Sequence, residues 1–305
     1  MTACILLVFY CRNARLPLLY TCAFLLKHPM KTCRELELIE HLDRTAVRHL
    51  IEHEGRVTCW REFGAGAPLV LLHGGHGSWM HWIRNIEVLS HSHRVLVPDL
   101  PGYGDSDALH AGSGFPGLVD AIIASVDKLL GADAAFDLAG FSFGGVVAGC
   151  VALQRGGVRR LALLGAVGHG MRRRQSRAML SWRDVEDEAT VLAHMRHNLG
   201  VLMLHGPIDP LALEIHRRSC VRTRFESKKT SLSPVLTVTL EQLEIPVLSL
   251  WGEHDPTGDP AEIASVWQRP LAERTHDIIR TAGHWVQYEA ADEVNGRLLD
   301  WFAAR

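Results

Sequence analysis

The sequence has few cysteines, no long hydrophobic run and almost no excess of charge of either sign. Its seven cysteines are scattered and form no Cys-x-x-Cys pair, which argues against a disulfide framework and favours a reducing compartment. A net charge of -2 gives no electrostatic basis for binding nucleic acid. No apolar run approaches the ~20 residues that a membrane-spanning helix needs. The composition therefore predicts a cytoplasmic globular protein without nucleic acid partners.

Residues 1–42 read as an N-terminal extension outside the folded core. Two short apolar runs, 5–11 and 16–26, are separated by Arg12 and Arg15. This pattern is compatible with a signal peptide, but no small-x-small cleavage site follows it. We favour a start at Met30 and expect a chain that begins there to fold and to be fully active. Membrane attachment or export through residues 1–29 is the alternative.

Short apolar runs alternate with helical stretches over most of the chain. The run 69–72 is continuous and apolar, and so is 160–164 after Arg160, as in strands buried on both faces of a parallel sheet. This alternation predicts an α/β fold with a doubly wound, mostly parallel sheet. It stops after about the sixth strand, so we expect residues 168–236 to form an inserted helical cap. The core then comprises 43–167 and 237–305.

A Gly-x-Ser-x-Gly motif centred on Ser142 lies between an apolar strand and a helix of small residues. A serine at such a sharp turn takes a strained backbone conformation that projects its hydroxyl at the carboxyl end of the sheet. Gly140 and Gly144 leave room for strand and helix to approach. A glycine-rich turn with an incidental serine is the alternative, but the strand and helix context favours a nucleophile.

A serine nucleophile needs a base, and the base needs an acid that fixes its tautomer. In this topology both should follow later strands, in the order serine, acid, histidine. Asp255 follows the apolar run 245–251, and His284 follows the run 276–279 behind a glycine. We therefore predict Asp255 as the acid and His284 as the base, with Glu253 as the rival acid.

Two backbone amides are needed to stabilise an oxyanion. Phe143, directly after the nucleophile, should supply one, and the loop 73–77 should supply the other, with Gly75 as first choice and His76 as second. A phosphate-binding reading of this loop fails, because Gly-x-Gly-x-x-Gly would require glycine where Met80 stands. The chain also has no zincin pattern, and we predict neither a metal nor a cofactor.

Taken together, these motifs resemble those of the α/β-hydrolase superfamily, over about residues 45–305. The motifs that carry the resemblance are His73-Gly74-Gly75, Asp99-Leu100-Pro101-Gly102-Tyr103-Gly104-Asp105-Ser106, Gly140-Phe141-Ser142-Phe143-Gly144-Gly145, Gly252-Glu253-His254-Asp255 and Gly283-His284-Trp285. The last motif and the run 198–225 are similar to the meta-cleavage-product hydrolases, which cut carbon–carbon bonds. That similarity implies that Arg217 grips a substrate carboxylate and that Trp285 lines the pocket, beside His76.

The predicted cap is basic, with ten Arg and two Lys against seven acidic residues. These charges form either a solvated helix face or a surface that steers an anionic substrate. The sequence thus predicts a serine hydrolase that cleaves a small carboxylic ester or related acyl bond. Carbon–carbon bond hydrolysis is the alternative. A non-catalytic ligand-binding protein is the alternative of another class, and the intact Ser, Asp and His set argues against it. The oligomeric state has no signature in the sequence.

Overall fold

A computed structural model describes residues 29–266 and 273–304, and the strands of this part form one eight-stranded sheet. The strands are β1 (Val47–His53), β2 (Arg56–Phe63), β3 (Ala67–Leu72), β4 (His93–Pro98), β5 (Phe136–Phe141), β6 (Val158–Leu164), β7 (Val247–Gly252) and β8 (Arg274–Ile279). Their order is β1-β2-β4-β3-β5-β6-β7-β8. β2 is antiparallel to both β1 and β4, and all other neighbours are parallel.

Helices connect the parallel strands across both faces of the sheet. They are α1 (Pro29–Thr45), a 3-10 helix (Trp79–Trp82), α2 (Ile86–Ser90), α3 (Gly114–Leu130), α4 (Phe143–Arg155), α5 (Glu188–Leu202), α6 (Pro210–Val221), α7 (Lys228–Ser231), α8 (Val235–Leu240), α9 (Pro260–Val266), α10 (Val286–Glu289) and α11 (Ala291–Ala303). The predicted α/β class with a mostly parallel sheet is confirmed.

The central strands are apolar because helices cover them on both sides. Successive side chains of β3 point to opposite faces, so Leu69 and Leu71 belong to one core cluster and Val70 and Leu72 to the other. All four side chains are fully buried. Because side chains alternate in this way, the sheet lies between two apolar cores, one on each face.

The segment between β6 and β7 carries helices α5 to α8 and no strand in the described residues. α5 and α6 pack against each other, whereas α8 packs against α4 of the sheet domain. The alternation of strands and helices therefore stops after the sixth strand, as the sequence predicts. The extent of a cap domain, 168–236, stays a prediction.

Most of helix α1 lies within the stretch 1–42, which the sequence predicts to be an N-terminal extension. Ile39 and Leu42 are only 3% exposed and belong to the core. Glu40 also accepts a hydrogen bond from Arg218 of α6 at 2.8 Å. Residues 1–28 lie outside the part of the chain that the structure describes. The hypotheses of a start at Met30 and of membrane attachment through this segment therefore stay predictions. In the part of the chain described here, no helix is both long and apolar enough to cross a membrane.

Packing of α1 leads to a stability prediction. Leu42→Ala should lower the free energy of unfolding by about 2–4 kcal/mol, because it leaves a cavity in the core. Leu50→Ala is the matched control, since Leu50 on β1 is 69% exposed, and it should change stability by less than about 0.5 kcal/mol. Urea unfolding followed by circular dichroism measures both. Equal, small effects would show that α1 does not belong to the cooperative core.

Candidate active site

Ser142 occupies the turn between β5 and α4 in a backbone conformation that is rare for a residue with a side chain. Its φ is 53° and its ψ is -119°. Glycines make the turn possible: a Cβ on Gly140 would lie 2.4 Å from the Gly144 oxygen, and a Cβ on Gly144 would lie 2.4 Å from the His73 oxygen. The strained turn leaves Ser142 half-buried and accessible at the carboxyl end of the sheet.

The structure brings Ser142, His284 and Asp255 into one line of hydrogen bonds. The Ser142 Oγ lies 2.8 Å from His284 Nε2, and His284 Nδ1 lies 2.8 Å from Asp255 Oδ2. Since a carboxylate can only accept, Nδ1 carries the proton and Nε2 is left to accept from the serine hydroxyl. His284 and Asp255 are buried, at 2% and 1% exposure. This geometry allows proton transfer from Ser142 to His284.

Two residues that the sequence reading did not single out hold this line in place. Thr257 donates to Asp255 Oδ1 from both its amide and its hydroxyl, each at 2.7 Å. Gly165, with φ of 49°, lies where a Cβ would come within 3.2 Å of Asp255 Oδ2 and His284 Nδ1. Asp255 Oδ1 is therefore held by Thr257 and Oδ2 by His284. Because Gly165 has no side chain, the end of β6 can approach Asp255 and His284 closely. A Thr two residues after an Asp is a signal that could have been recognised.

The rival acid lies elsewhere. The Glu253 side chain is 52% exposed, and its Oε2 lies 3.9 Å from His254 Nε2. Asp259, the other acidic residue of this loop, accepts from the Ala261 amide at 2.9 Å at the start of α9. Among these three carboxylates, only Asp255 contacts His284.

The glycine loop after β3 lies directly against the nucleophile turn. A Cβ on Gly74 would approach Ser142 Cβ to 3.0 Å, and a Cβ on Gly75 would approach Phe143 Cβ to 3.8 Å. In the described part of the chain, nothing accepts a hydrogen bond from the amides of Gly75 and Phe143. Two N–H groups beside a serine hydroxyl are suited to bind a developing negative charge.

Buried side chains hold the glycine loop rigid. His73 Nε2 accepts from the Leu100 amide at 2.9 Å, so its Nδ1 donates to the Gly74 oxygen at 2.8 Å. Asp99 Oδ1 accepts from the Trp79 amide at 2.8 Å, and the other oxygen accepts from the buried Arg61 at 3.2 Å. The Asp99–Ser106 motif therefore supports the loop rather than reaching the reacting atoms.

Helix α6 of the insertion covers the glycine loop. The Ser219 and Ser78 hydroxyl oxygens lie 2.9 Å apart, and the buried His216 faces His76. Burial, with a smaller contribution from the neighbouring His76, lowers the pKa of His216 to about 4. His76 has a positive φ of 54° and is partly exposed. Burial of much of its ring, followed by the charge of Arg183, lowers its pKa as well. These imidazoles are therefore neutral at pH 7. The sequence reading missed His216.

The two residues that the family resemblance implied for substrate binding have other partners here. Arg217 donates to both oxygens of Glu214 at 2.8 Å, and its side chain is 37% exposed. Trp285 has no exposed surface: its indole N–H donates to the His81 oxygen at 2.9 Å and its ring stacks on Tyr288. Their roles toward a substrate stay predictions.

The strand order and the serine at a strained strand-to-helix turn define the class of fold, a doubly wound α/β fold with a mostly parallel sheet. Residues 69–297 match the model of the alpha/beta hydrolase family. The chain therefore belongs to the alpha/beta hydrolase family and is an enzyme of that class. Within residues 29–266 and 273–304, no group of three or more His, Cys, Asp or Glu side chains has the arrangement of a metal site.

Several known proteins are similar to this chain. The dihydrolipoyllysine-residue acetyltransferase component of an acetoin cleaving system from Pseudomonas putida is 30% identical over 259 residues, covering 80% of this chain but only 66% of that protein. A 2-hydroxy-6-oxononadienedioate/2-hydroxy-6-oxononatrienedioate hydrolase from Paraburkholderia phymatum is 28% identical, covering 79% of this chain and 89% of its own.

Solved structures share the fold. An esterase from Rhodococcus sp. ECU1013 superposes with a TM-score of 0.69 at 21% identity, covering 85% of this chain and 99% of that one. A meta-cleavage product hydrolase from Pseudomonas fluorescens IP01 has a TM-score of 0.66 at 23% identity, covering 84% and 97%. At these identities the likeness shows the fold alone.

Proposed function

We propose that this protein is a serine hydrolase that cleaves a small carboxylic ester or a related acyl bond. The observation that carries the proposal is the continuous line from Ser142 Oγ through His284 to Asp255, with both contacts at 2.8 Å. A serine hydroxyl is a weak nucleophile until a base accepts its proton. Here the base already lies between the serine hydroxyl and the carboxylate that orients it, so the geometry suits acyl transfer.

The reaction proceeds in two halves. The Ser142 Oγ bonds to the carbonyl carbon as its proton passes to His284 Nε2, and the carbonyl electron pair moves onto oxygen. The amides of Gly75 and Phe143 donate to that oxyanion. Collapse expels the alcohol, which takes the proton from His284. Water then adds to the acyl-enzyme in the same way, releasing the acid and restoring Ser142.

Carbon–carbon bond hydrolysis is the second candidate function. It is favoured by the name of the Paraburkholderia phymatum relative, a 2-hydroxy-6-oxononadienedioate/2-hydroxy-6-oxononatrienedioate hydrolase that aligns with most of this chain. The same three side chains would serve this reaction, with a carbanion equivalent as the leaving group in place of an alcohol.

An arginine close to the line of hydrogen bonds makes an anionic substrate reasonable for either reaction. Arg173 is half-buried, and its neighbour Arg174 donates its amide to the Pro256 oxygen at 2.9 Å, beside the acid loop. Burial lowers the pKa of the Arg173 guanidinium, while the Asp255 carboxylate raises it. In the described residues no acidic side chain pairs with Arg173, whereas Arg217 is held by Glu214.

A substrate panel tests the proposal and separates the two candidates. We expect turnover of p-nitrophenyl esters with short acyl chains, and none of it in Ser142→Ala. Faster turnover of a meta-cleavage product than of every ester would favour the second candidate. Binding of these compounds without turnover would instead indicate a non-catalytic ligand-binding protein.

The two arginines give a matched pair of variants. Arg173→Met should lower kcat/KM for carboxylate-bearing substrates by about 10-fold, or about 1.4 kcal/mol, and spare neutral esters. Arg217→Met should have little effect on either class, because Glu214 occupies its guanidinium. Steady-state kinetics on both classes measures the difference. A selective loss of about 100-fold in Arg217→Met would restore the role that the resemblance implied for Arg217.

A further inference from the structure

The carboxylate of Glu289 joins two segments that come from distant parts of the chain. Its Oε1 accepts from the amides of His205 at 2.9 Å and Gly206 at 2.7 Å, in the turn after α5. Its Oε2 accepts from the amide of Gly283 at 2.7 Å. One side chain thus fixes the turn 203–206 of the helical insertion against the loop that carries His284.

The backbone on both sides of His284 depends on this arrangement. Gly283, before it, donates to Glu289, and Trp285, after it, donates to the Met203 oxygen at 2.8 Å. The same turn reaches the acid loop, because the rings of His205 and His254 stack at 3.6 Å. His284 therefore takes its position from a turn in the insertion, and not only from β8.

The contact is too close for any side chain at position 283. A Cβ on Gly283 would lie 2.8 Å from the His205 nitrogen and 3.0 Å from Glu289 Oε2. An ionised carboxylate can accept from all three N–H groups through its two oxygens, whereas a carboxamide presents a donor on one side. Bonds from N–H groups to a carboxylate are shorter and stronger than neutral ones. Burial raises the pKa of Glu289, and the three amides oppose that rise.

We propose that Glu289 is a positioning residue for His284, acting by clamping the turn 203–206 of the insertion to the loop 283–285. This inference rests on the proposed function, since it matters only if His284 is the base. Glu289 does not touch the reacting atoms. Its effect is to keep His284 Nε2 within hydrogen-bond distance of Ser142, so its loss should reduce proton transfer more than substrate binding.

The test uses the full chain and two variants, with a control on the same stretch. Glu289→Gln keeps the size but sets a donor against one amide, and Glu289→Asp keeps the charge but shortens the reach. Glu293→Gln is the control, because Glu293 is 47% exposed and pairs with Arg297. The rate of labelling by a small fluorophosphonate reports on the Ser142–His284 pair without requiring a known substrate. Thermal melts establish that each variant is folded at the assay temperature.

Both Glu289 variants should be labelled at least 10-fold more slowly than the wild type, with kcat for esters falling in parallel, KM nearly unchanged and Glu293→Gln unaffected. A wild-type rate in folded Glu289→Gln would overturn the inference, even if its melting temperature falls. So would a wild-type rate in Glu289→Asp beside a slow Glu289→Gln, because charge and not position would then be responsible. Loss of the fold in both variants would also overturn the inference, because Glu289 would then be required by the fold as a whole and not by the position of His284. Absence of labelling in the wild type would instead reject the proposed function itself.

Discussion

Replacing Ser142 with alanine is expected to lower kcat by a factor on the order of 10⁴ or more, because the three groups act as a unit. The change removes one oxygen from a half-buried side chain. It keeps a Cβ at φ 53°, so the fold should survive. Steady-state turnover of a p-nitrophenyl ester measures the loss, and labelling by a fluorophosphonate should vanish with it.

Ser265→Ala is the matched control for this prediction. Ser265 is exposed, and its hydroxyl donates to the Glu262 oxygen in α9 at 2.6 Å. The control should retain normal turnover and labelling. Near-normal turnover in a folded Ser142→Ala protein would contradict acyl-enzyme chemistry on this serine.

The second large effect is expected from Asp255→Asn. An amide at this position can donate to His284 Nδ1, which then favours the tautomer with its proton on Nε2, facing Ser142. That tautomer cannot accept the serine proton, and turnover should fall on the order of 10³-fold or more. The hydrogen bonds from Thr257 to Oδ1 are retained by an amide oxygen, so the acid loop should keep its shape.

Glu253→Gln tests the specificity of that result. Glu253 lies two residues from Asp255 but is exposed and does not contact His284. Its replacement should leave kcat within a factor of two, about 0.4 kcal/mol. A severe loss in Glu253→Gln beside a mild one in Asp255→Asn would show that the acid is misassigned.

Much of the sheet and of the candidate site could be predicted because both follow from local patterns. Apolar runs buried on two faces mark β3, β6 and β7 in the sequence, and a parallel sheet brings their carboxyl ends to one edge. The residues directly after those ends are then neighbours in space. Ser142 was predicted from its glycine motif after β5, and Asp255 and His284 from their positions after β7 and β8. In the structure His284 lies 2.8 Å from Ser142 Oγ through Nε2 and 2.8 Å from Asp255 Oδ2 through Nδ1.

Features that depend on packing between distant segments could not be predicted. The helix α1 has mixed charge and few apolar residues, and its role becomes visible only where Ile39 and Leu42 meet the core. The pairing of Glu214 with Arg217 is different, because their spacing of three residues on α6 is a local signal that the sequence analysis did not use. His216 and Glu289 lie where the insertion meets the sheet domain, beside His76 and the turn 203–206 respectively. No local sequence pattern indicates these contacts.

The central claim is that Ser142 forms a covalent intermediate, and mapping of a covalent adduct tests it most directly. The wild-type protein is treated with a fluorophosphonate, digested and examined by mass spectrometry, beside a sample denatured before treatment. We expect one adduct per chain, on Ser142, in the native sample alone. An adduct on another residue would contradict a covalent intermediate on Ser142. So would ester turnover by protein that is fully labelled at another residue, or that is not labelled at all.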